Sequence, residues 1–509
     1  MKKILILLSA VFLLNLSVHA QNANRSKFIA DSLTNYINRA ITNWRVPGAA
    51  ICIVKDNKVV FMKGFGIKEL GLNNKVDEHT LFMIGSNTKA FTATALAMLA
   101  AEKKISLNDK VTKYLPEFKL DNKAATELVN IKDLLSHRLG FQTFQGDFTF
   151  YNSNLSRAEI IARLGLLKAP HAFRTQWGYN NAAYLAAGEI IPKVAKQNWD
   201  IYIKEKLFAP LGMGNTLGLS VAMSKALNRA AAHTILDGRL IAIPYANLDN
   251  MAPAGTISST AGDMSKWVMA LLNNGKVGTR QVIPASAIGT TWNPESIVGD
   301  KIIGNKQLSY SLYGLGWFLQ NYQNRTVITH EGGISGFVSS VTLVPQEKTG
   351  IVILTNTDQN NLIDALRWEI LDAYFKLPYR NYSDAYLNVH KNETAQANAA
   401  DKKLRDSVML SPRPAQSLSY YTGKFTNPIY GSADVETGEN NTLIMRFEHH
   451  PKMFAKLQAL GGNRFFATFS DPVFGKAIFN FKAQPNGKVT GVTVKASDFI
   501  EYGGYEFTR

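Results

Sequence analysis

The sequence predicts an α+β domain, an antiparallel sheet flanked by a mainly helical region, followed by a small all-β barrel. Three observations predict it. Strand-like runs stand at both ends of residues 21–377 with helical stretches between them, a polar segment covers 378–414, and 415–509 repeats short alternating stretches dense in Gly, Asn, Phe and Thr. Strands, then helices, then strands again describe a sheet built from the two ends of one domain. A chain of 509 residues also exceeds one compact core and suits two or three domains.

Taken in order, residues 1–20 (MKKILILLSAVFLLNLSVHA) place Lys2 and Lys3 before a short apolar run that closes on Val18-His19-Ala20. That order predicts a cleaved signal peptide and an exported protein, periplasmic or secreted. No other stretch reaches the roughly eighteen apolar residues of a membrane span. Residues 47–66 read as a hairpin turning at Asp56-Asn57. From Thr88 to Lys103 the chain is rich in Ala, Leu and Met without Pro or Gly, which predicts a buried helix. Further helical stretches follow at 131–136, 181–195 and 263–273. Within 326–357, VSSVTLV and GIVILTN predict strands on either side of Pro345-Gln346-Glu347-Lys348, before a helix over 361–376. The polar stretch that follows predicts an exposed connecting helix or linker. NTLIMRF, GNRFFATF, KAIFNF and VTGVTVKA then predict the strands of a small barrel or sandwich.

Composition narrows the function. A hydrophobic fraction of 46% is that of an ordinary globular protein. Cys52 is the sole cysteine, which excludes an intrachain disulfide, and its apolar surroundings mark a packed thiol. The net charge of +17 is compatible with association with anionic envelope polymers and equally with a plain solvated surface. Nucleic-acid binding would need basic residues clustered with aromatics, a pattern the chain lacks.

Three constellations carry candidate chemistry. The first is Ser86-x-x-Lys89, in GSNTKAF. On a helix these positions share one face, and burial would lower the lysine pKa towards that of a usable base. The competing reading is Ser86 as a helix cap with Lys89 in solvent. The second is Tyr179-x-Asn181, in a glycine-containing turn that opens a helix; a phenol and an amide there can face one cleft, or simply cap and pack. The third is His330-Glu331-Gly332-Gly333 at a strand end, where paired glycines permit close approach and leave backbone N–H groups free. Metal binding by His330 and Glu331 lacks a second His at ligand spacing, and His449-His450 reads as an exposed polar pair. No cofactor is expected.

In that order the three motifs resemble the serine β-lactamase and penicillin-binding protein superfamily, and most of all its class C-like branch of D-aminopeptidases, D-peptidases, esterases and β-lactamases. IKDLLSH from Ile131, LFAPLGMGNT, PAGTISSTAGDM and YGLGW extend the resemblance over about residues 30 to 377. The C-terminal region is similar to the lipocalin-like domain often appended to such hydrolases. The resemblance implies acyl transfer: Ser86 as nucleophile, Lys89 and Tyr179 sharing proton transfer in an order left open, backbone N–H groups of Ser86 and Gly333 holding the oxyanion, and Asn181, His330, Gly332 and Gly333 meeting the substrate.

One departure matters. The third motif of β-lactamases and D-Ala-D-Ala carboxypeptidases usually supplies a lysine for a substrate carboxylate. Here His330 stands in its place, expected to be charged only in mild acid. The expectation is therefore hydrolysis of a small peptide, amide or ester. A β-lactamase, a carboxypeptidase or a carboxylesterase is the enzymatic alternative, and a silent binding or sensor protein the other. Oligomeric state stays open.

Overall fold

The structure, a computed structural model, describes residues 27–299 and 310–509. The signal peptide expected over residues 1–20 lies outside the described residues. β1 (Gly48–Lys55) and β2 (Lys58–Gly66) form the expected hairpin, turning at Asp56 and Asn57 with φ of 51° and 60°. Two consecutive positive φ values match the twist of the flanking strands, and Asp and Asn tolerate them.

β3 (Ser296–Gly299), β4 (Ser311–Tyr313), β5 (Phe318–Tyr322), β6 (Arg325–Ile334), β7 (Phe337–Val344) and β8 (Thr349–Thr355) complete an antiparallel sheet. Its order is β2-β1-β8-β7-β6-β5-β4-β3. β1 pairs with β8, so the two ends of the domain meet within the sheet, as predicted. β3, β4 and β5 add to the predicted strands; they are short, and no alternating apolar run marks them.

In chain order, the helices that build the layers are α1 (Leu33–Asn43), α2 (Thr88–Ala101), α3 (Asp147–Phe150), α4 (Asn181–Ala195), α5 (Ala261–Leu272), α6 (Leu362–Tyr374) and α7 (Tyr382–Met409). α1 and α6 cover one face of the sheet, against Ala49, Ile51 and Ile53 of β1. The helical region covers the other, against Ala50, Cys52 and Val54. Burial on both faces explains why β1 reads as an unbroken apolar run. It also makes Cys52 a packed thiol, pushed up to about 12 by desolvation. α2 lies inside the helical region, with every residue from Thr88 to Leu99 buried.

α7 runs for 28 residues with only Tyr382, Ser383 and Leu387 buried, and leads to the C-terminal region. There β9 (Gly423–Asn427), β10 (Gly431–Gly438), β11 (Thr442–Phe447), β12 (His450–Ala459), β13 (Arg464–Phe469), β14 (Lys476–Ala483), β15 (Val489–Val494) and β16 (Tyr505–Thr508) form a closed barrel. Each strand pairs with its neighbour in the chain, and β9 against β16 closes the ring. Aromatic side chains, among them Phe425, Phe465, Phe479 and Phe507, fill the interior.

One more aromatic ring comes from outside the barrel. Phe148 of α3 lies 5.2 Å from the Tyr430 ring, 5.9 Å from Phe447 and 5.2 Å from Tyr505. The same joint corrects the reading of His449-His450 as an exposed polar pair, because both are buried. His450 Nε2 donates to the Tyr151 carbonyl (2.9 Å) while its Nδ1 accepts from Tyr430 (2.7 Å). His449 Nδ1 donates to Asn154 Oδ1 (3.0 Å) and its Nε2 accepts from Arg163 (3.1 Å). Adjacent polar residues look exposed in a sequence; here the partners that bury them lie nearly three hundred residues away. Among the described residues no helix is long and apolar enough to cross a membrane.

Phe148 is 1% exposed. Phe148→Ala should therefore lower stability by about 3–5 kcal/mol in a urea titration followed by hydrogen exchange across β9–β16, and a loss below about 1 kcal/mol would contradict this packing.

Candidate active site

Ser86 stands in the 3-10 turn Gly85–Asn87, which runs directly into α2. Among the described residues no side chain caps α2, so the helix-cap reading of Ser86 fails. Gly85 has a φ of 51°, and a Cβ there would come within 3.1 Å of Gly333 N. At Gly332 a Cβ would meet Ile84 O at 1.9 Å. These glycines let the Ser86 turn lie against β6. β5 accompanies β6 only as far as Thr329, leaving residues 330–334 paired on one side, with β7.

Lys89, one turn into the helical segment, is fully buried. Its Nζ lies 3.0 Å from Ser86 Oγ, 2.7 Å from Asn181 Oδ1 and 2.8 Å from Ala254 O. Desolvation lowers its pKa to about 7, against the opposing pull of Asp147. Asn181, the first residue of α4, bridges the two: its Oδ1 accepts from Lys89, and its Nδ2 donates to Asp147 Oδ2 at 2.6 Å. The loop before α4 is held by Asn180, whose side chain accepts from the Ala183 N–H.

The Tyr179 ring lies 4.6 Å from Lys89 Nζ. Its phenol is buried, which drives the pKa well above the ordinary value against a hydrogen bond with Ser86. His330 sits at the start of the free β6 edge, its ring 6.2 Å from that of Tyr179. His330 Nδ1 donates to the Glu331 carbonyl (2.6 Å) and its Nε2 accepts from Tyr313 (3.0 Å). Burial, aided by Lys89, lowers its pKa to about 3. This corrects the expectation of a charge in mild acid: the imidazole stays neutral there as well. His137, beneath Tyr179 at 4.3 Å between rings, is likewise held neutral by burial.

The structure thus brings Ser86, Lys89, Tyr179 and Asn181 into one cluster, with His330, Gly332 and Gly333 on the strand beside it. Sequence reasoning missed Asp147, the second partner of Asn181. A lone Asp between Gln145-Gly146 and Phe148 carries no motif, and only the fold brings it to Asn181, 34 positions away. Among the described residues no three His, Cys, Asp or Glu side chains form a metal-binding group.

An eight-stranded sheet, a buried helical region and a Ser-x-x-Lys turn between them define the β-lactamase-like class of fold. The chain belongs to the beta-lactamase family, whose profile matches residues 33–374. A second profile, a domain of unknown function (DUF3471), matches residues 409–508. The unguisins hydrolase ungD' of Aspergillus campestris is 26% identical over 428 residues, covering 80% of this chain and 78% of that protein. Protein flp of Staphylococcus aureus (strain N315) is 27% identical over 369 residues, covering 70% and 69%. Among solved structures, an octameric penicillin-binding protein homologue from Pyrococcus abyssi superposes with a TM-score of 0.60 at 20% identity, over 94% of this chain and 99% of that one. A D-stereospecific amidohydrolase from Streptomyces sp. gives 0.53 at 19% identity, over 67% and 97%. Both share the fold.

Burial of Lys89 has a consequence for stability. The amine is protonated up to about pH 10.5 when unfolded but only below about 7 when folded. Unfolding takes up a proton between those values, so the contribution of this position to stability rises with pH across that window. Thermal unfolding of the wild type should gain on Lys89→Met as pH rises from 7 towards 10.5, whereas a constant gap would indicate an ordinary lysine.

Proposed function

We propose that this protein is an exported serine hydrolase that forms an acyl-enzyme on Ser86 and cleaves amide or peptide bonds of short substrates, D-configured or cell-wall-derived. The observation that carries the reading is a buried Lys89 amine, lowered to about 7, at 3.0 Å from Ser86 Oγ. Two of its partners, Asn181 Oδ1 and the Ala254 carbonyl, only accept. A neutral amine has two N–H donors and one lone pair. With both donors engaged, the lone pair falls to the Ser86 hydroxyl, which is the geometry of a general base.

The Tyr179 phenol keeps its proton at neutral pH. Lys89 is therefore the first proton acceptor, and Tyr179 relays protons between Ser86 and the leaving group. Ser86 Oγ bonds to the substrate carbonyl carbon, and the N–H groups of Ser86 and Gly333 hold the oxyanion. The amine leaves with the proton taken from Ser86. Water then attacks the ester, and Ser86 recovers its hydrogen. The second amide hydrogen of Asn181 is left for the substrate.

A neutral His330 offers no cation to a terminal carboxylate. That favours an aminopeptidase, amidase or esterase over a carboxypeptidase. Two of the similar proteins, one named a hydrolase and one an amidohydrolase, support this class of reaction. The signal peptide expected over residues 1–20 supports export, and a net charge of +17 is compatible with contact with an anionic envelope.

A fluorophosphonate probe should label the wild type at Ser86 and leave Ser86→Ala unlabelled, with a rate that climbs through about pH 7 as Lys89 deprotonates. A wild type that takes no label and turns over none of the substrates below would favour a binding or sensor protein, and turnover retained in Ser86→Ala would overturn Ser86 as the nucleophile. Across L- and D-aminoacyl nitroanilides, nitrophenyl esters and nitrocefin, hydrolysis of aminoacyl substrates is expected; turnover confined to nitrocefin would mark a β-lactamase.

A further inference from the structure

The barrel closes on the segment that carries Asp147. Glu501, in the loop before β16 and 4% exposed, accepts the Gly146 N–H at 3.0 Å and the Phe148 N–H at 2.9 Å. It also accepts the Tyr505 hydroxyl at 3.0 Å. Between those two backbone groups stands Asp147. On one side of it the Phe148 ring enters the barrel; beyond, His450 holds the Tyr151 carbonyl and the His449 carbonyl accepts the Asn154 N–H at 2.9 Å.

α3 needs this support. It has four residues, starts from Gly146 at a φ of 99°, and has no side-chain cap of its own. A helical turn so short does not persist unaided. Asp147 nonetheless makes a defined contact, 2.6 Å from Asn181 Nδ2, while its other oxygen is buried without a hydrogen-bond partner among the described residues. Asn181 continues the chain to Lys89 at 2.7 Å, and Lys89 to Ser86 at 3.0 Å.

We infer that the C-terminal barrel is a working part of the active site, in which Glu501 and Asp147 are positioning residues: Glu501 fixes the backbone of residues 146–148 so that Asp147 holds Asn181, and Asn181 keeps the Lys89 amine on Ser86. The inference rests on Ser86 being the nucleophile. It assigns the barrel a role that the position of the domain in the chain does not reveal, because Glu501 lies 355 residues beyond Gly146.

Asp147 also acts through charge. The titratable groups facing Lys89 are Asp147, Tyr179, Tyr184, His137 and His330. Burial keeps the two phenols protonated and the two imidazoles neutral. Facing Asp147 are Lys89, Glu501, Tyr179 and Tyr505. Burial pushes the Asp147 carboxyl itself well above the usual carboxylate range, against the hydrogen bond from Asn181. Where it ionises, its charge raises the Lys89 pKa against desolvation, and removing that charge should lower the Lys89 pKa further.

The test uses full-length wild type, Asp147→Asn and Glu501→Gln, each checked by thermal unfolding. Asp147→Asn keeps an acceptor for Asn181 but no charge, so the acid limb of its fluorophosphonate labelling rate should move down by at least ~0.5 pH units. Glu501→Gln replaces an acceptor of two N–H groups by one that can serve only one of them. Its kcat per labelled site on an aminoacyl nitroanilide should fall about tenfold with KM within about twofold. A residue that merely stabilised the fold would lower the labelled fraction and leave pH profile and per-site kcat unchanged; wild-type values of both in folded variants would overturn the proposal. A wild type that takes no label would defeat the Ser86 reading instead. The crystal structure of Glu501→Gln would then decide this one alone: a displaced Asp147–Asn181 contact upholds it, and an intact one overturns it.

Discussion

An amine enclosed by protein, with acceptors in contact but a carboxylate only at second hand, is the constraint on which this site depends. An unpaired charge in such surroundings is expensive, and a lysine meets the difficulty by giving up its proton. Asp147 stands close enough to oppose that loss but not to cancel it. Asn181 lies between them, neutral, with its oxygen towards Lys89 and its nitrogen towards Asp147. Direct contact between the two would make an ion pair and leave a charged lysine with no lone pair for Ser86. The interposed amide keeps the carboxyl out of contact with the amine, whose pKa desolvation lowers to about 7.

The rest of the architecture serves that arrangement. Burial on both sides makes α2 a fixed axle, and the turn before it can reach β6 only because Gly85 and Gly332 lack side chains where the backbones meet. The sheet joins the two ends of the domain through β1 and β8, so the β6 edge and the Ser86 turn share one rigid frame. His330, hydrogen-bonded at both ring nitrogens, presents a neutral polar wall where a cation would select carboxylates.

Much of this was legible in the sequence, for identifiable reasons. The hairpin at Asp56-Asn57, the helix from Thr88, and β7 and β8 rest on local patterns, and the structure places them within a few residues. The helix expected to reach Lys103 ends at Ala101 because Lys103 adopts a φ of 59°. The cluster of Ser86, Lys89, Tyr179 and Asn181 was legible through motif order, which local propensity alone would not reveal. The short strands β3 to β5, the buried pair His449-His450, and the Asp147–Glu501 connection were not. Each is decided by partners tens to hundreds of residues away, and neither periodicity nor spacing records such pairings.

The claim on which everything turns is that Lys89 is a neutral base in the folded protein. Titration of the lysine side-chain 13Cε resonances by NMR, with Lys89 assigned from the signal missing in Lys89→Met, measures it directly. The account predicts a midpoint near pH 7 for Lys89, far below the other lysines; a midpoint near the ordinary 10.5 would contradict it.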